Sequence, residues 1–293
     1  MNKLTVIGGG LAGCEAAYAA ANRGIEVELL EMKPAKKTAA HKSDSLAELV
    51  CSNSLKASRV DSAAGLLKEE MRRLGSVCLA AADRSAVAAG GALAVDRDIF
   101  SKLITEKIKN HPNITVTEGL ATEIPQSGVT VIATGPLTDD KLAEKLAGLC
   151  EGGNLSFYDA AAPIVTAESV DMSKAFFASR YDKGGDDYIN CPMNKEEYTA
   201  FYRELISAES APLHGFDKAP NVYEGCMPIE VLAKRGEDSI RFGPLKPVGL
   251  RDPRTGHRPW AAVQLRRENA AATLFNIVGF QTNLKFSEQK RVF

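Results

Sequence analysis

The sequence predicts an α/β protein in which a Rossmann-like domain opens the chain and a second, α+β insertion domain follows. Three observations support this prediction. Residues 1–31 read as strand, glycine turn, helix and strand, and residues up to about 133 add two amphipathic helices and two β-branched runs. From about Ser156 the composition shifts to tyrosine, aspartate, proline and glycine. We therefore place the domains at 1–165 and 166–293.

The opening unit is a predicted β-α-β motif. Residues 4–7 (LTVI) are a short apolar run typical of a buried strand, and residues 11–23 form an alanine-rich helical segment that Gly24 ends. Residues 25–30 then predict a second apolar strand. This order requires the two strands to be parallel and the helix to cross between them.

Four further segments extend the predicted sheet and its covering helices. Residues 63–74 and 97–109 carry apolar side chains at helical spacing, so each helix is expected to pack one face on the sheet. The apolar positions are Leu66, Leu67, Met71 and Leu74 in the first, and Ile99, Leu103, Ile104 and Ile108 in the second. Residues 114–117 and 129–133 are β-branched runs and predict strands of the same sheet. In the second domain, residues 195–208 predict a helix and residues 239–242 a short strand.

Composition and charge exclude several classes of protein. With 293 residues, 45% hydrophobic and 25% charged, the chain has a globular composition. The 36 basic residues nearly balance the 37 acidic ones, so a nucleic acid would have to bind a local basic surface. No signal peptide or transmembrane run is present, and the six cysteines lack disulfide or CxxC spacing. We expect a cytoplasmic protein with reduced thiols, and we assign no residue to a metal.

The glycine turn is a dinucleotide-binding fingerprint. Gly8, Gly9, Gly10, Leu11, Ala12 and Gly13 match GxGxxG between a strand and a helix, and Glu31 ends the second strand. The turn and the helix N-terminus are expected to receive a pyrophosphate, and Glu31 a ribose with free hydroxyls. NAD and FAD both satisfy this pattern. The strand leading into Thr134 and Gly135 resembles the ATG strand of FAD-binding two-dinucleotide-fold flavoproteins, which favours FAD.

Two cysteines lie in unusual settings. Cys51 ends an apolar stretch and precedes Ser52 and Asn53, which could cap a following helix and thereby favour the thiolate. Cys226 lies in a turn bounded by Gly225 and Pro228. From the residues alone, two buried inert cysteines are the alternative.

Residues 231–267 form a basic segment with nine lysines and arginines against three acidic residues. Its arginines lie among glycines and prolines, where they could contact phosphates, and Trp260 or His257 could stack on a base or another heterocycle. A solvated loop surface is the alternative. The phosphates of NADPH and the glutamate tail of a folate are competing anions.

Six segments of the chain resemble one family. They are residues 7–17 (IGGGLAGCEAA), 48–56 (ELVCSNSLK), 223–230 (YEGCMPIE), 241–250 (RFGPLKPVGL), 252–259 (DPRTGHRP) and 278–284 (VGFQTNL). Together they resemble the bacterial TrmFO family of folate- and FAD-dependent tRNA (uracil-5-)-methyltransferases. The first segment is shared with the MnmG family, which modifies the tRNA wobble uridine, whereas the two cysteine segments favour TrmFO.

The resemblance implies methylation at C5 of the T-loop uridine of tRNA (position 54). Methylenetetrahydrofolate would give the carbon, FAD would carry it, and NAD(P)H would supply electrons. Cys226 is implied as the nucleophile that adds to C6 of uracil. Cys51 is implied as a second thiol that either takes the C5 proton or transiently holds the adduct. The basic segment becomes a candidate for contacts with tRNA and the folate tail.

The family pattern continues beyond Phe293. We therefore expect this polypeptide to be a C-terminal truncation without the rest of the FAD-binding domain, which puts its own FAD retention and activity in question. The alternatives are an MnmG-like wobble-uridine enzyme and a non-catalytic remnant that binds FAD or tRNA.

Overall fold

A computed structural model describes residues 3–38, 40–149, 162–182, 185–211 and 227–293. The chain forms two compact units. Unit 1 comprises Met1–Val50, Ser58–Ala86 and Val95–Phe157, and unit 2 comprises Cys51–Ala57, Val87–Ala94 and Tyr158–Phe293. Two short segments of the N-terminal half, Cys51–Ala57 and Val87–Ala94, therefore belong to unit 2, and the first of them begins with Cys51. The boundary predicted at residue 165 stays a prediction.

The described strands are β1 (Lys3–Ile7), β2 (Glu26–Glu31), β3 (Ser54–Ala57), β4 (Ala86–Val87), β5 (Ala92–Val95), β6 (Ile114–Glu118), β7 (Val129–Ile132), β8 (Ile164–Thr166), β9 (Phe176–Phe177), β10 (Tyr188–Met193), β11 (Ala261–Arg267) and β12 (Leu274–Ile277). The described helices are α1 (Leu11–Ala21), α2 (Ala63–Arg73), α3 (Val77–Arg84), α4 (Arg97–Lys109), α5 (Asp140–Ala147), α6 (Lys195–Ser207), α7 (Ile229–Ala233), α8 (Glu237–Arg241) and α9 (Phe286–Val292). Within the described ranges, no helix is long and apolar enough to span a membrane.

Unit 1 is built on a parallel sheet with strand order β6-β2-β1-β7. Val6 at its centre lies opposite Leu29 on β2 and Val131 on β7, and both Val6 and Leu29 are fully buried. The apolar runs form central strands because they can be covered on both faces. The predicted Rossmann-like α/β fold is confirmed.

The two amphipathic helices predicted in unit 1 both form, but their buried faces agree with the prediction to different extents. In α4, the predicted Ile104 and Ile108 are fully buried together with Phe100, but the predicted Ile99 is 41% exposed. The Asp96 carboxylate caps the helix by accepting from the amides of Asp98 and Ile99.

For α2 the predicted inner face is wrong. Leu66, Leu67 and Leu74 are 47%, 57% and 79% exposed, whereas Gly65 and Lys68 are buried. The buried face of α2 approaches the Arg59 backbone closely at Gly65. Only glycine allows this approach, because a Cβ there would lie 1.8 Å from the Arg59 carbonyl oxygen. Helical spacing identified the helix but did not show which face is covered.

Unit 2 is built on an antiparallel sheet with strand order β8-β12-β11-β10-β9. Strand β11 lies at its centre, and Ala261 and Leu265 on it are buried in a core that also holds Tyr198 and Leu205 of α6. A capping box between Asn194 and Glu197 begins α6, the helix that was predicted at residues 195–208. A second sheet of unit 2 has the order β3-β5-β4.

The strand predicted at residues 239–242 is wrong, because Glu237–Arg241 forms α8. Gly236 turns the chain with φ +142°, and the Ser239 hydroxyl donates to the carbonyls of Leu232 and Gly236 at 2.6 Å. The turn orients the short helix so that Ile240 is buried. A run of four residues is too short to distinguish the period of a helix from that of a strand.

Candidate functional site

A cavity of about 300 Å³ lies in unit 1 where the carboxyl ends of β1, β2, β6 and β7 meet the N-terminus of α1. This is the edge of a doubly wound sheet at which ligands bind. The predicted residues in its wall are Gly8, Gly9, Gly10, Leu11, Ala12, Glu31, Thr134 and Gly135. The structure thus brings together eight of the nine residues predicted to bind the cofactor.

Gly13, the ninth predicted residue, does not line the cavity. A Cβ at Gly13 would lie 1.8 Å from the Gly8 carbonyl oxygen, so this glycine allows α1 to approach the turn. Gly8 has φ +101° and closes on the backbone of Ala133. A Cβ at Gly10 would meet nothing within 4 Å. The three glycines therefore serve the turn, the open approach to a ligand and the helix packing, as the fingerprint requires.

The N-terminus of α1 suits an anion. Gly10 is the N-cap in an extended conformation without a side-chain cap, and the first turn carries no acidic residue. The amides of Leu11 and Ala12 begin the helix at the cavity wall, where the helix dipole is positive. A pyrophosphate fits this position.

Glu31 anchors the other side of the cavity and is only 6% exposed. Its carboxylate accepts from the Gly9 amide at 2.6 Å and from the Lys33 amide at 3.0 Å. Because a carboxylate has about four acceptor positions, it can also accept from two ribose hydroxyls. Glu31 fits the predicted ribose contact and also fixes the glycine turn.

Thr134 and Gly135 close the cavity at the end of β7. The hydroxyls of Thr134 and Thr138 lie 2.6 Å apart, and Gly135 has φ +64°. The Ala133 amide donates to the Ile7 carbonyl at 2.8 Å, which extends the β1–β7 pairing to the cavity wall. Backbone from two parallel strands therefore borders the same space.

Sequence reasoning missed a polar group in this wall that consists of Lys33, His41 and Glu48. The buried Lys33 ammonium donates to the Ser45 carbonyl at 2.6 Å and to the Glu48 carboxylate at 3.2 Å. Burial opposes ionisation of Glu48, but bonds from the Lys42 and Ser43 amides and from Lys33 hold its pKa below the usual range. Burial, together with the Lys33 charge, lowers the pKa of His41. No local motif signals this group, because its members come from a loop.

Cys51 is exposed and lies in unit 2. The chain after it forms β3 rather than a helix, so the predicted helix-capping role of Ser52 and Asn53 is wrong. Both side chains instead accept from Arg266: Nε reaches the Asn53 Oδ1 and Nη2 reaches the Ser52 Oγ, each at 3.0 Å. A partner far along the chain has replaced the local cap.

Three other cysteines have thiols whose pKa is raised by burial. Burial raises the pKa of Cys14 to about 12 and that of Cys191 to about 11, and it also raises the pKa of Cys78. Their thiolates are disfavoured at neutral pH. These residues match the expectation of inert thiols.

Cys226 lies outside the described residues. The segment directly after it is anchored, since Met227 and Ile229 are buried and the Ile229 amide donates to the Gln281 carbonyl at 2.8 Å. The buried Glu230 carboxylate accepts from the Thr282 hydroxyl and the Asn283 amide, each at 2.8 Å. Two of the sequence segments quoted above, 223–230 and 278–284, are therefore joined.

The basic segment divides into exposed and packed members. Arg241 lies over the Trp260 ring at 3.7 Å from its centroid, so this face of Trp260 is covered. Arg254 forms a paired contact with Asp252 at 2.7 and 3.0 Å, and Arg266 is 6% exposed. Exposed members are Lys234, Arg235, Lys246, Arg251, Arg254 and Arg258, and His257 is also exposed. The segment is thus partly a packed structure and partly a cationic surface.

Comparisons with known proteins assign the chain to a family. The family profile described as glucose inhibited division protein A matches residues 3–293. Two relatives named methylenetetrahydrofolate–tRNA-(uracil-5-)-methyltransferase TrmFO are 60% identical over 293 residues (Lactobacillus gasseri) and 58% identical over 290 residues (Acetivibrio thermocellus). The chain belongs to the TrmFO family. Its matched region spans all of this chain and 67% of the first relative, and 99% of this chain and 66% of the second.

The TrmFO assignment confirms the resemblance inferred from the six segments. This TrmFO chain is also similar to a solved structure of GidA from Aquifex aeolicus, with a TM-score of 0.67 and 16% identity. The aligned region covers 99% of this chain and 52% of the GidA chain. At that identity the likeness concerns the fold alone. It confirms an α/β fold of the GidA type, with a parallel Rossmann-like sheet and antiparallel sheets.

Proposed function

We propose that this TrmFO chain takes part in folate-dependent methylation of uracil C5 in tRNA, at the T-loop uridine. The supporting observation is the 60% identity over all 293 residues to a relative named methylenetetrahydrofolate–tRNA-(uracil-5-)-methyltransferase TrmFO. The T-loop position is what the family resemblance of the six segments implies. The two segments that contain Cys51 and Cys226 resemble the same family and favour the same activity. The proposed donor is methylenetetrahydrofolate and the proposed reductant is NAD(P)H.

The cavity of unit 1 would hold the adenosine diphosphate end of FAD. Gly10, Leu11 and Ala12 offer backbone to the pyrophosphate, and Glu31 offers acceptors to the ribose. Buried Lys33 and Glu48 keep the neighbouring loop in place by their mutual contact. FAD, when bound, supplies the redox chemistry that the chain's own side chains lack.

The proposed chemistry of the protein is thiol chemistry. The Cys226 thiolate adds to C6 of uracil, and the electron pair of the C5–C6 double bond moves to C5, which becomes nucleophilic. Once C5 has bonded to the folate-derived methylene, the C5 proton must leave, and we assign this proton to Cys51. The electron pair left at C5 breaks the bond between the methylene and its nitrogen carrier and gives an exocyclic methylene. A hydride that originates from NAD(P)H then converts this carbon to the methyl group, and expulsion of the Cys226 thiolate restores the C5–C6 double bond. The exposure of Cys51 supports this role, since a buried thiol could not meet the base.

The proposed tRNA contacts are the exposed cations of residues 231–267. Lys246, Arg251 and Arg258 are exposed residues of the irregular connection between α8 and β11, where phosphates can approach them. The packed Arg241 and the buried Arg266 are left out of this surface. Binding through such cations should weaken as salt rises.

The test is methyl transfer to an unmodified tRNA transcript, with labelled methylenetetrahydrofolate, FAD and NADPH, followed by nucleoside analysis. We expect 5-methyluridine in the T loop, and we expect Cys226→Ala to abolish it while Cys191→Ala retains it. Cys191 is the matched control because its thiol has a raised pKa and lies in β10. Label at the wobble uridine would refute the proposal, as would full activity of Cys226→Ala.

A further inference from the structure

The segment that carries Cys51 is held by a buried cation from the far end of the chain. Arg266 lies on β11, the central strand of the five-stranded sheet of unit 2, and is 6% exposed. Its guanidinium donates from Nε to Asn53 and from Nη2 to Ser52, the two residues directly after Cys51. Residues more than 200 positions apart in sequence are thus joined by a two-pronged contact.

Two further hydrogen bonds, one made by Asn53 and one by Ser52, reinforce the contact with Arg266. Asn53 is fully buried, and its Nδ2 donates to the Arg267 carbonyl at 2.9 Å, so the same residue binds both the side chain and the backbone of β11. The Ser52 hydroxyl also accepts from the Ser54 amide at 3.2 Å. Because a guanidinium is planar and rigid, two acceptors at 3.0 Å fix the orientation of residues 52 and 53 together.

We propose that Arg266 is the residue that positions Cys51, acting through Ser52 and Asn53. The inference rests on the proposed function, in which Cys51 is a reacting thiol. Arg266 is a positioning residue rather than a catalytic one, because it is buried and reaches the reaction through its neighbours. A thiol in an exposed turn samples many orientations, and fixing the next two residues to a central strand restricts them.

The guanidinium also brings charge to the thiol. Ser52 follows Cys51 directly and accepts from Arg266 at 3.0 Å, so the cation lies within roughly 12 Å of the sulfur, given a spacing of about 3.8 Å between neighbouring Cα atoms. That distance exceeds the Debye length of about 8 Å in physiological salt but is well inside the length of about 30 Å at 0.01 M, so the charge of the guanidinium acts on the sulfur mainly at low ionic strength.

The first test measures alkylation of Cys51 by iodoacetamide in the intact 293-residue chain at fixed pH, with each cysteine followed by peptide mass spectrometry. At low ionic strength, where a cation at this distance is little screened, we expect Arg266→Met to slow the labelling of Cys51 about twofold to fivefold. Arg266→Lys should lie between wild type and Arg266→Met, because lysine keeps the charge but reaches one acceptor. Arg267→Met, its neighbour on β11, is the matched control and should label Cys51 at the wild-type rate.

Protection of the half-buried Cys191 reports folding of unit 2 in the same sample, because this cysteine lies on β10, which pairs with β11. If Arg266→Met does not fold, Ser52→Ala removes one acceptor at a half-buried position and should slow Cys51 about twofold to threefold, since one of the two prongs remains. Unchanged or faster labelling of Cys51 in a folded Arg266→Met or Ser52→Ala protein would overturn the inference. So would an Arg266→Lys rate as low as that of Arg266→Met.

Methyl transfer separates this inference from the proposed function. In active holoenzyme, Arg266→Met should lower kcat about tenfold or more and leave KM for tRNA within about threefold, because misplacing a reacting group costs rate rather than binding. A larger rise in KM at unchanged kcat would contradict positioning. A wild-type chain that transfers no methyl group but shows Arg266-dependent labelling would refute the proposed function alone. An active chain with Arg266-independent labelling would refute only the inference.

Discussion

The cofactor cavity of unit 1 and the Cys51 segment of unit 2 are held together in different ways. The cavity is made mostly of backbone: Gly13 packs on Gly8 inside the β-α-β motif, Gly8 packs on Ala133 after β7, and Glu31 is bonded to the Gly9 amide. The Cys51 segment is held by side chains, through Arg266 on Ser52 and Asn53. The cavity can therefore be recognised from a contiguous motif, whereas the thiol segment depends on residues that only the fold brings together.

The largest effect is expected from Gly13→Ala, which tests the backbone construction of the cavity. The added Cβ would lie 1.8 Å from the Gly8 carbonyl oxygen, and backbone on both sides must then shift. We expect a loss of roughly 3 kcal/mol or more in the stability of unit 1, in the range of severe overpacking. Thermal unfolding of the purified chain, with and without FAD, measures it.

Gly10→Ala is the matched control. Its Cβ would meet no protein atom within 4 Å, and Gly10 has a negative φ, so folding should be unchanged while the methyl group occupies ligand space. Weaker FAD binding by titration, at wild-type melting temperature, is the expected result. Equal destabilisation by both variants would break the distinction between packing and ligand glycines.

Asn53→Ala tests the thiol segment at its buried anchor. The substitution removes the acceptor of Arg266 Nε and the donor to the Arg267 carbonyl, in a residue that is fully buried. Leaving buried polar groups unsatisfied should cost about 2–3 kcal/mol in the unfolding free energy. Denaturant unfolding checks this value, with Asn269→Ala as a control at a half-buried turn. A cost below that of the control would show that side-chain bonds do not hold the segment.

The sequence predicted the parts of the fold that local periodicity determines. The strands of the parallel sheet, α1, α4 and α6 follow from apolar spacing and stop signals, and the cavity follows from the glycine motif. The exposed leucines of α2 were misplaced because helical spacing does not show which face a neighbour covers.

The candidate site shows the same limit. The cap predicted after Cys51 failed because a long-range partner, Arg266, competes for the same oxygens. Lys33 and Glu48 were missed because a buried ion pair formed by a loop has no fixed spacing. Charge alone likewise did not separate the buried Arg266 from the exposed Arg251 and Arg258 in the basic segment.

Glu31→Gln should have an intermediate effect and tests how far the cavity depends on one side chain. The carboxylate accepts from two backbone amides at 2.6 and 3.0 Å, whereas an amide group would turn one NH₂ toward an N–H donor. We expect a stability loss of about 1–2 kcal/mol and FAD affinity lowered about tenfold. Calorimetric titration with FAD measures the affinity, and Glu28→Gln on the same strand is the control. Unaltered FAD affinity would exclude Glu31 from the ribose contact.

The smallest effect is expected from Glu48→Gln, and it should depend on pH. Bonds to amides and to Lys33 lower the folded-state pKa of Glu48 below its ordinary value of 4.5. The ionised carboxylate therefore stabilises the fold above about pH 4.5, and this contribution is lost as the pH falls through the folded pKa. We expect the unfolding free energy of wild type to be higher than that of Glu48→Gln by about 1 kcal/mol at pH 7, the scale of one hydrogen bond. This difference should shrink as the pH falls below 4.5. Urea unfolding at several pH values measures this difference, with the exposed Glu70→Gln as control. A difference that stays constant with pH would mean that Glu48 acts by packing and not by charge.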